Sequence, residues 1–157
     1  MQKDWLFSNE NQICNYRSAG VLIRGGKILV QRERNGNEYA FPGGHVIVGE
    51  TSEQSLIREF KEETGADIIC ERLIWVEESF WKWNGKNTHT IAFYYLLSLE
   101  NEMDIPDDYF ESQKDNCNVI LEWMNIENLK NITIYPDFAK EKAMNISENI
   151  EHFVRYE

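Results

Sequence analysis

"FPGGHVIVGETSEQSLIREFKEETGADI" spans Phe41 to Ile68. It passes from a turn signal, through a helix start, into a run that crowds carboxylates around one arginine. Thr51 followed three residues later by Gln54 fits a capping box, which satisfies two backbone donors at a helix start. Leu56, Ile57 and Phe60 recur at helical spacing, and Gly65 supplies a C-terminal stop. The spacing predicts a helix over Ser52 to Thr64. On it Glu59, Glu62 and Glu63 stand at i, i+3 and i+4, so they share one face beside the apolar stripe. Three carboxylates crowded there repel one another unless a cation or proton compensates. Hard divalent ions such as Mg²⁺ prefer oxygen ligands, and this face could supply them.

The residues just upstream agree with a cation site. Gly43 and Gly44 let the backbone turn tightly and approach an ion or phosphate without a Cβ in the way. The Gly43 carbonyl could add an oxygen ligand. Arg58 lies on the polar side, within reach of Glu50, and a salt bridge there would hold loop to helix.

Farther out, "SAGVLIR" and "KILVQRER" read as short strands joined by Gly25-Gly26, a hairpin signal. Asn35-Gly36 marks another turn. "DIICERLIWVEESFWKW" and "THTIAFYYLLSL" are rich in β-branched and aromatic residues, as long strands are, with a hairpin loop at "NGKN". Glu100 to Asn118 reads as an acidic loop, and "VILEWM" as a strand. From Pro136 the segment "DFAKEKAMNISENIEHFVRYE" fits an amphipathic helix. Strands with a central and a terminal helix suggest an α/β fold, a mixed sheet sandwiched by helices. The expectation is one domain over residues 1–157, with residues 1–16 a peripheral lead-in.

Composition narrows the functions. The 157 residues suit one domain with a real core. The formal charge of −11 argues against a nucleic-acid polymer as partner, since affinity for phosphates comes largely from Lys and Arg. A polyphosphate substrate stays compatible if divalent cations mediate the contact. Cys14, Cys70 and Cys117 form no CxxC pair, which argues against a zinc cluster or disulfide framework and suits a reducing cytosol. "MQKDWLFSNENQIC" does not read as a signal peptide, and no stretch is long and apolar enough for a membrane span, so the expected location is cytoplasmic.

An arbitrary "EFKEE" is most often a solvated helix face. Here the complete spacing outweighs that reading. Gly44, five residues, Glu50, seven residues, then Arg58-Glu59-Phe60-Lys61-Glu62-Glu63-Thr64-Gly65-Ala66 resembles the Nudix box, Gly-x5-Glu-x7-Arg-Glu-U-x-Glu-Glu-x-Gly-U, where U is bulky and apolar. Every fixed Gly, Glu and Arg is present. The likeness extends more loosely from Ser18 to about Leu129. Ala66 is smaller than the usual last residue, and Ile47 stands where the family often has an acid.

The resemblance implies the Nudix-type α/β/α sandwich with a mixed sheet, related to MutT. It implies hydrolysis of a nucleoside diphosphate linked to a group X, at a phosphoanhydride, with Mg²⁺ or Mn²⁺. Glu59, Glu62 and Glu63 would be metal ligands, one doubling as general base, with the Gly43 carbonyl completing part of the shell. Glu50 and Arg58 would be the structural pair. A further acid often comes from a later loop, where Glu111 and Asp115 are candidates beside the plainer reading of a solvated loop. Arg17, Arg32 and Arg34 are candidates for phosphate contacts, although surface pairing is the commoner role of any one. Trp75, Phe80, Trp81, Trp83 and Trp123 include rings able to stack on a base, most of them better read as core. His89 reads as an ordinary strand histidine. The default substrate is a nucleoside triphosphate or related small phosphorylated nucleotide, with a homodimer left open. The rival is a catalytically silent Nudix-fold nucleotide sensor, which would have no need of all the acids.

Overall fold

In the computed structural model, which describes residues 2–114 and 118–157, apolar alternation sets the sheet and the capped helix lies across it. The strands run β1 (Leu6–Ser8), β2 (Gln12–Arg24), β3 (Lys27–Glu33), β4 (Glu38–Ala40) and β5 (Gly43–His45) before helix α1 (Ser52–Thr64). After it come β6 (Ile68–Trp83), β7 (Lys86–Leu99), β8 (Phe110–Glu111), β9 (Val119–Asn125), β10 (Thr133–Tyr135), the single turn α2 (Ala139–Lys142) and β11 (Glu151–Tyr156). Asp115 and Cys117 lie outside the described residues.

The main strand order is β10-β4-β3-β2-β7-β6-β11. The sheet is mixed: β2 with β7, β6 with β11 and β4 with β10 are parallel, and the remaining pairs are antiparallel. Period-2 alternation sends Val21, Ile28 and Val30 to one face and Leu22 and Leu29 to the other. Both faces are covered, so these strands read as continuous apolar runs. On one face Leu22, Leu29, Leu97 and Leu121 pack with Leu56 and Phe60 of α1. Leu56 and Phe60 are fully buried, each worth about 1.5–3 kcal/mol of apolar transfer. On the other face Trp75, Phe41 and Tyr94 pack with Leu129 and Ala139.

The helix has the bounds its sequence predicts. Thr51 Oγ1 accepts from Gln54 N–H at 3.0 Å, Gln54 Oε1 accepts from Thr51 N–H at 2.9 Å, and Gly65 closes the last turn in the left-handed conformation. Ile57, expected in the apolar stripe, is exposed instead. Ser55, Glu59 and Glu63 share the buried side with Leu56 and Phe60. The β6–β7 hairpin turns through Asn84 and Gly85, both at positive φ, which matches the twist of its strands.

Two expectations change. The segment from Pro136 is not one amphipathic helix: it makes the four-residue turn α2 and then β11, paired in parallel with β6. "EHFVRY" alternates, with Glu151, Phe153 and Arg155 half-buried and His152, Val154 and Tyr156 exposed. That is strand periodicity, and β6 offers the edge it needs. The lead-in is also joined to the sheet. β1 pairs with β2, Trp5 N–H donates to Val46 O, and Val48 N–H donates to Lys3 O.

Candidate active site

Strand β5 brings the glycine pair against α1. Its register on β2 sets Ser18 opposite Gly44 and Ala19 opposite Gly43. A Cβ on Gly43 would lie 2.1 Å from Ser18 O, and one on Gly44 would lie 2.6 Å from Glu59 Cδ. A Cβ on Gly43 would collide with backbone, and one on Gly44 would displace the Glu59 carboxylate, so Gly44 is what admits that carboxylate beside the loop. Glu59 and Glu63 are buried, while the Glu62 side chain is 41 % exposed. The three acids, Arg17, Gly43, Gly44, Arg58 and Lys114 line one open cleft of about 560 Å³.

Arg58 ties this arrangement together. Its Nε donates to Glu50 Oε1 at 3.2 Å, and its NH1 lies 3.1 Å from Glu59 Oε1 and 3.5 Å from Glu62 Oε1. Burial alone would lower the Arg58 pKa, but its bonds to Glu59 and then Glu50 raise it. Ser55 Oγ also donates to Glu50 Oε1, and accepts from Ile47 N–H, so the loop is held at two levels.

Sequence reasoning missed Lys114. Its Nζ lies 2.9 and 2.8 Å from the two Glu59 oxygens and 3.2 Å from Glu62 Oε2. Burial would lower its pKa, yet the bonds to Glu59 and Glu62 raise it. His45 was missed as well. Its Nε2 lies 3.5 Å from Arg17 NH1 and its Nδ1 lies 3.8 Å from Asp4 Oδ2. Burial first, and then the Arg17 charge, lower its pKa, which favours the neutral ring. No local pattern signals either residue, because both contacts cross long stretches of chain.

Among the described residues, no three His, Cys, Asp or Glu side chains converge on one point as a metal shell would. Glu59 and Glu62 are instead ion-paired with Arg58 and Lys114. The chemistry of the donor set nevertheless fits a hard divalent cation. It consists of carboxylates on one helix face against a glycine cradle, and Glu59 and Glu62 already share one cation, the Lys114 ammonium.

A second cavity, of about 420 Å³, adjoins the cleft and shares Arg17 with it. Its walls include Asn15, Glu77, Trp81, Trp83, Tyr135 and Arg155. Trp81 and Trp83 stack on each other with centroids 5.8 Å apart and planes 11° apart. Glu77 is 3 % exposed, accepting from Arg155 Nε at 3.1 Å and Tyr94 OH at 3.4 Å. Burial raises the Glu77 pKa against the opposing pull of Arg155. Asn15 Oδ1 is buried with no hydrogen-bond partner among the described residues. Strand β11 supplies Arg155, so misreading that segment as helix hid this wall.

Other candidates lie elsewhere. Arg32 donates to the carbonyls of Glu33 and Arg34 and faces Glu122 at 3.6 Å. Arg34 pairs with Glu111. None of Arg32, Arg34 and Glu111 lines the carboxylate cleft. Trp75 is core, and Trp123 carries Arg24 over its ring at 4.3 Å. His89 and Phe80 stack at 4.3 Å and line a wider depression of about 750 Å³ that contains none of the clustered acids.

The NUDIX domain matches residues 15–143. An ADP-ribose pyrophosphatase of Methanocaldococcus jannaschii is 32 % identical over 98 residues, covering 60 % of this chain and 57 % of its own length. An RNA pyrophosphohydrolase of Orientia tsutsugamushi is 27 % identical over 153 residues, covering 91 % of this chain and 86 % of its own. The crystal structure of a MutT protein from Bacillus halodurans superposes with a TM-score of 0.68 at 16 % identity, covering 90 % of both chains, a likeness of fold.

Proposed function

Because the chain belongs to the NUDIX domain family, we propose that it hydrolyses a phosphoanhydride in a nucleoside diphosphate linked to a group X, using a divalent cation. The observation that carries this reading is the sharing of Arg17 between the carboxylate cleft and the aromatic-walled cavity. One side suits a metal-bound pyrophosphate and the other a planar base, with a guanidinium between them.

Glu59, Glu62, Glu63 and the Gly43 carbonyl would hold Mg²⁺ or Mn²⁺. Bound there, the cation supplies charge neutralisation on the phosphate oxygens and activation of water. One of the three carboxylates takes the proton from the attacking water. Glu50 and Arg58 keep the loop and helix in register. Arg17, steadied by the neutral His45, faces the phosphates. Trp81 and Trp83 offer stacking surface to the base, and Glu77 and Asn15 offer acceptors to its polar edge. The default substrate is a nucleoside triphosphate or related small nucleotide.

The test is a panel of nucleotides incubated with purified protein and Mg²⁺ or Mn²⁺, read as released phosphate or pyrophosphate. Release from at least one member, abolished by chelator, is the expected result. Saturable binding without release from any member would favour the silent sensor.

A further inference from the structure

Lys114 brings a positive charge to the place where a divalent cation would bind. Its ammonium touches both oxygens of Glu59, whose side chain is only 7 % exposed, and reaches Glu62 as well. We propose that Lys114 is a tethered counter-cation of this site, holding Glu59 and Glu62 in the metal-free protein and competing with a divalent cation for the same oxygens. The inference rests on the divalent-cation reading proposed above.

Three observations carry it. First, the ammonium lies 2.8–2.9 Å from the Glu59 oxygens, whereas Mg²⁺ needs oxygens at about 2.0–2.1 Å. An ammonium and a metal ion cannot both use the lone pairs on that face, and their like charges repel. Second, the segment carrying Lys114 is fixed to the end of α1. Gln113 N–H donates to Glu63 O at 2.9 Å, and Ser112 N–H donates to Val119 O at 2.9 Å. A short tether of that kind gives the amine a high effective concentration at the carboxylates. Third, the Lys114 side chain is 40 % exposed, so it can withdraw toward water when displaced. Arg58 NH1 also contacts Glu59 and Glu62, through their Oε1 atoms, so Lys114 is not the sole cation on this helix face.

The consequence is a metal affinity lower than the carboxylates alone would give. If the contact is closed about four-fifths of the time, one-fifth of the molecules are competent and apparent affinity falls about fivefold. Removing the ammonium should return that factor.

Calorimetric titration of Mn²⁺ alone into the wild-type protein, Lys114→Met and Lys114→Arg tests this, with thermal unfolding in chelator as a second readout. Lys114→Met should bind Mn²⁺ at least about fivefold more tightly than wild type. It should also melt at a lower temperature in chelator and gain more from added Mn²⁺. Lys114→Arg, which keeps the charge, should bind like wild type. Equal or weaker Mn²⁺ binding by Lys114→Met would overturn the proposal, and so would tightening in both variants. Absence of Mn²⁺ binding in all three proteins would instead remove the cation reading beneath it, a different pattern from equal finite affinities.

Discussion

Arg58 Nε lies 3.2 Å from Glu50 Oε1, with the two side chains 23 % and 21 % exposed. That shielding separates the pair from an ordinary surface ion pair, worth about 0–1 kcal/mol. Arg58 also touches Glu59 and Glu62, so losing it frees the loop and leaves those carboxylates to Lys114 alone. Arg58→Ala should cost about 2 kcal/mol, lowering Tm by roughly 4–8 °C, and should reduce kcat/KM with it. Calorimetry and steady-state kinetics on one preparation check this. Unchanged Tm with unchanged kcat/KM would make the pair decorative.

Glu62 and Glu63 should matter to turnover more than to folding. Glu62→Gln or Glu63→Gln keeps side-chain size while removing the charge proposed to bind metal or to act as base, and should lower kcat by at least about 10²-fold. Circular dichroism should show the fold intact. Near-normal turnover of both variants at saturating Mg²⁺ would overturn their assignment.

On the proposed reading, an acidic protein must still hold an acidic substrate. With a formal charge of −11, the overall field repels a polyphosphate. Cations bound among Glu59, Glu62 and Glu63 would reverse the local sign. Chelator should therefore weaken binding of a non-hydrolysable nucleotide by at least about tenfold, or ~1.4 kcal/mol. Equal dissociation constants with and without Mg²⁺ would assign the affinity to Arg17 and the aromatic cavity instead.

Glu77 gives a pH-dependent expectation. Burial raises its pKa above the ordinary 4.5, although Arg155 and Tyr94 bond to its carboxylate. The folded protein thus binds that proton more tightly than the unfolded chain. Its contribution to stability is full below the unfolded value and declines as pH rises through the raised folded value. Glu77→Gln lacks this slope, so Tm of the variant minus Tm of wild type should increase as pH rises from the unfolded to the folded pKa. Melting curves across that window decide it, and a constant difference would count against the shift.

The helix and its acids were legible because their signals are local. Thr51, Gln54 and Gly65 mark the ends within one turn of where they act, and the spacing of Glu59, Glu62 and Glu63 fixes their face. The same locality misled at residues 151–156. Six alternating residues after a helical-looking run carry a weak signal, and their pairing with β6 is decided far away in sequence. Lys114 was illegible for a related reason: a lysine in an acidic loop reads as solvated until Gln113 is seen bonded to the end of α1. Arg17 was one arginine among three candidates, and only the register of β2 on β5 separates it from Arg32 and Arg34.

The pairing of β11 with β6 also has a meaning in time. Glu77 and Arg155 are 78 residues apart, and translation delivers the acid first. Until the arginine emerges, a nascent chain has the carboxylate without its guanidinium, and Trp75–Phe80 of β6, the six residues that β11 covers, have no outer neighbour. An open edge of that length is a template for pairing with another chain. Ribosome-bound intermediates that have exposed β6 but not yet β11 are therefore where aggregation, or capture by a chaperone, should concentrate.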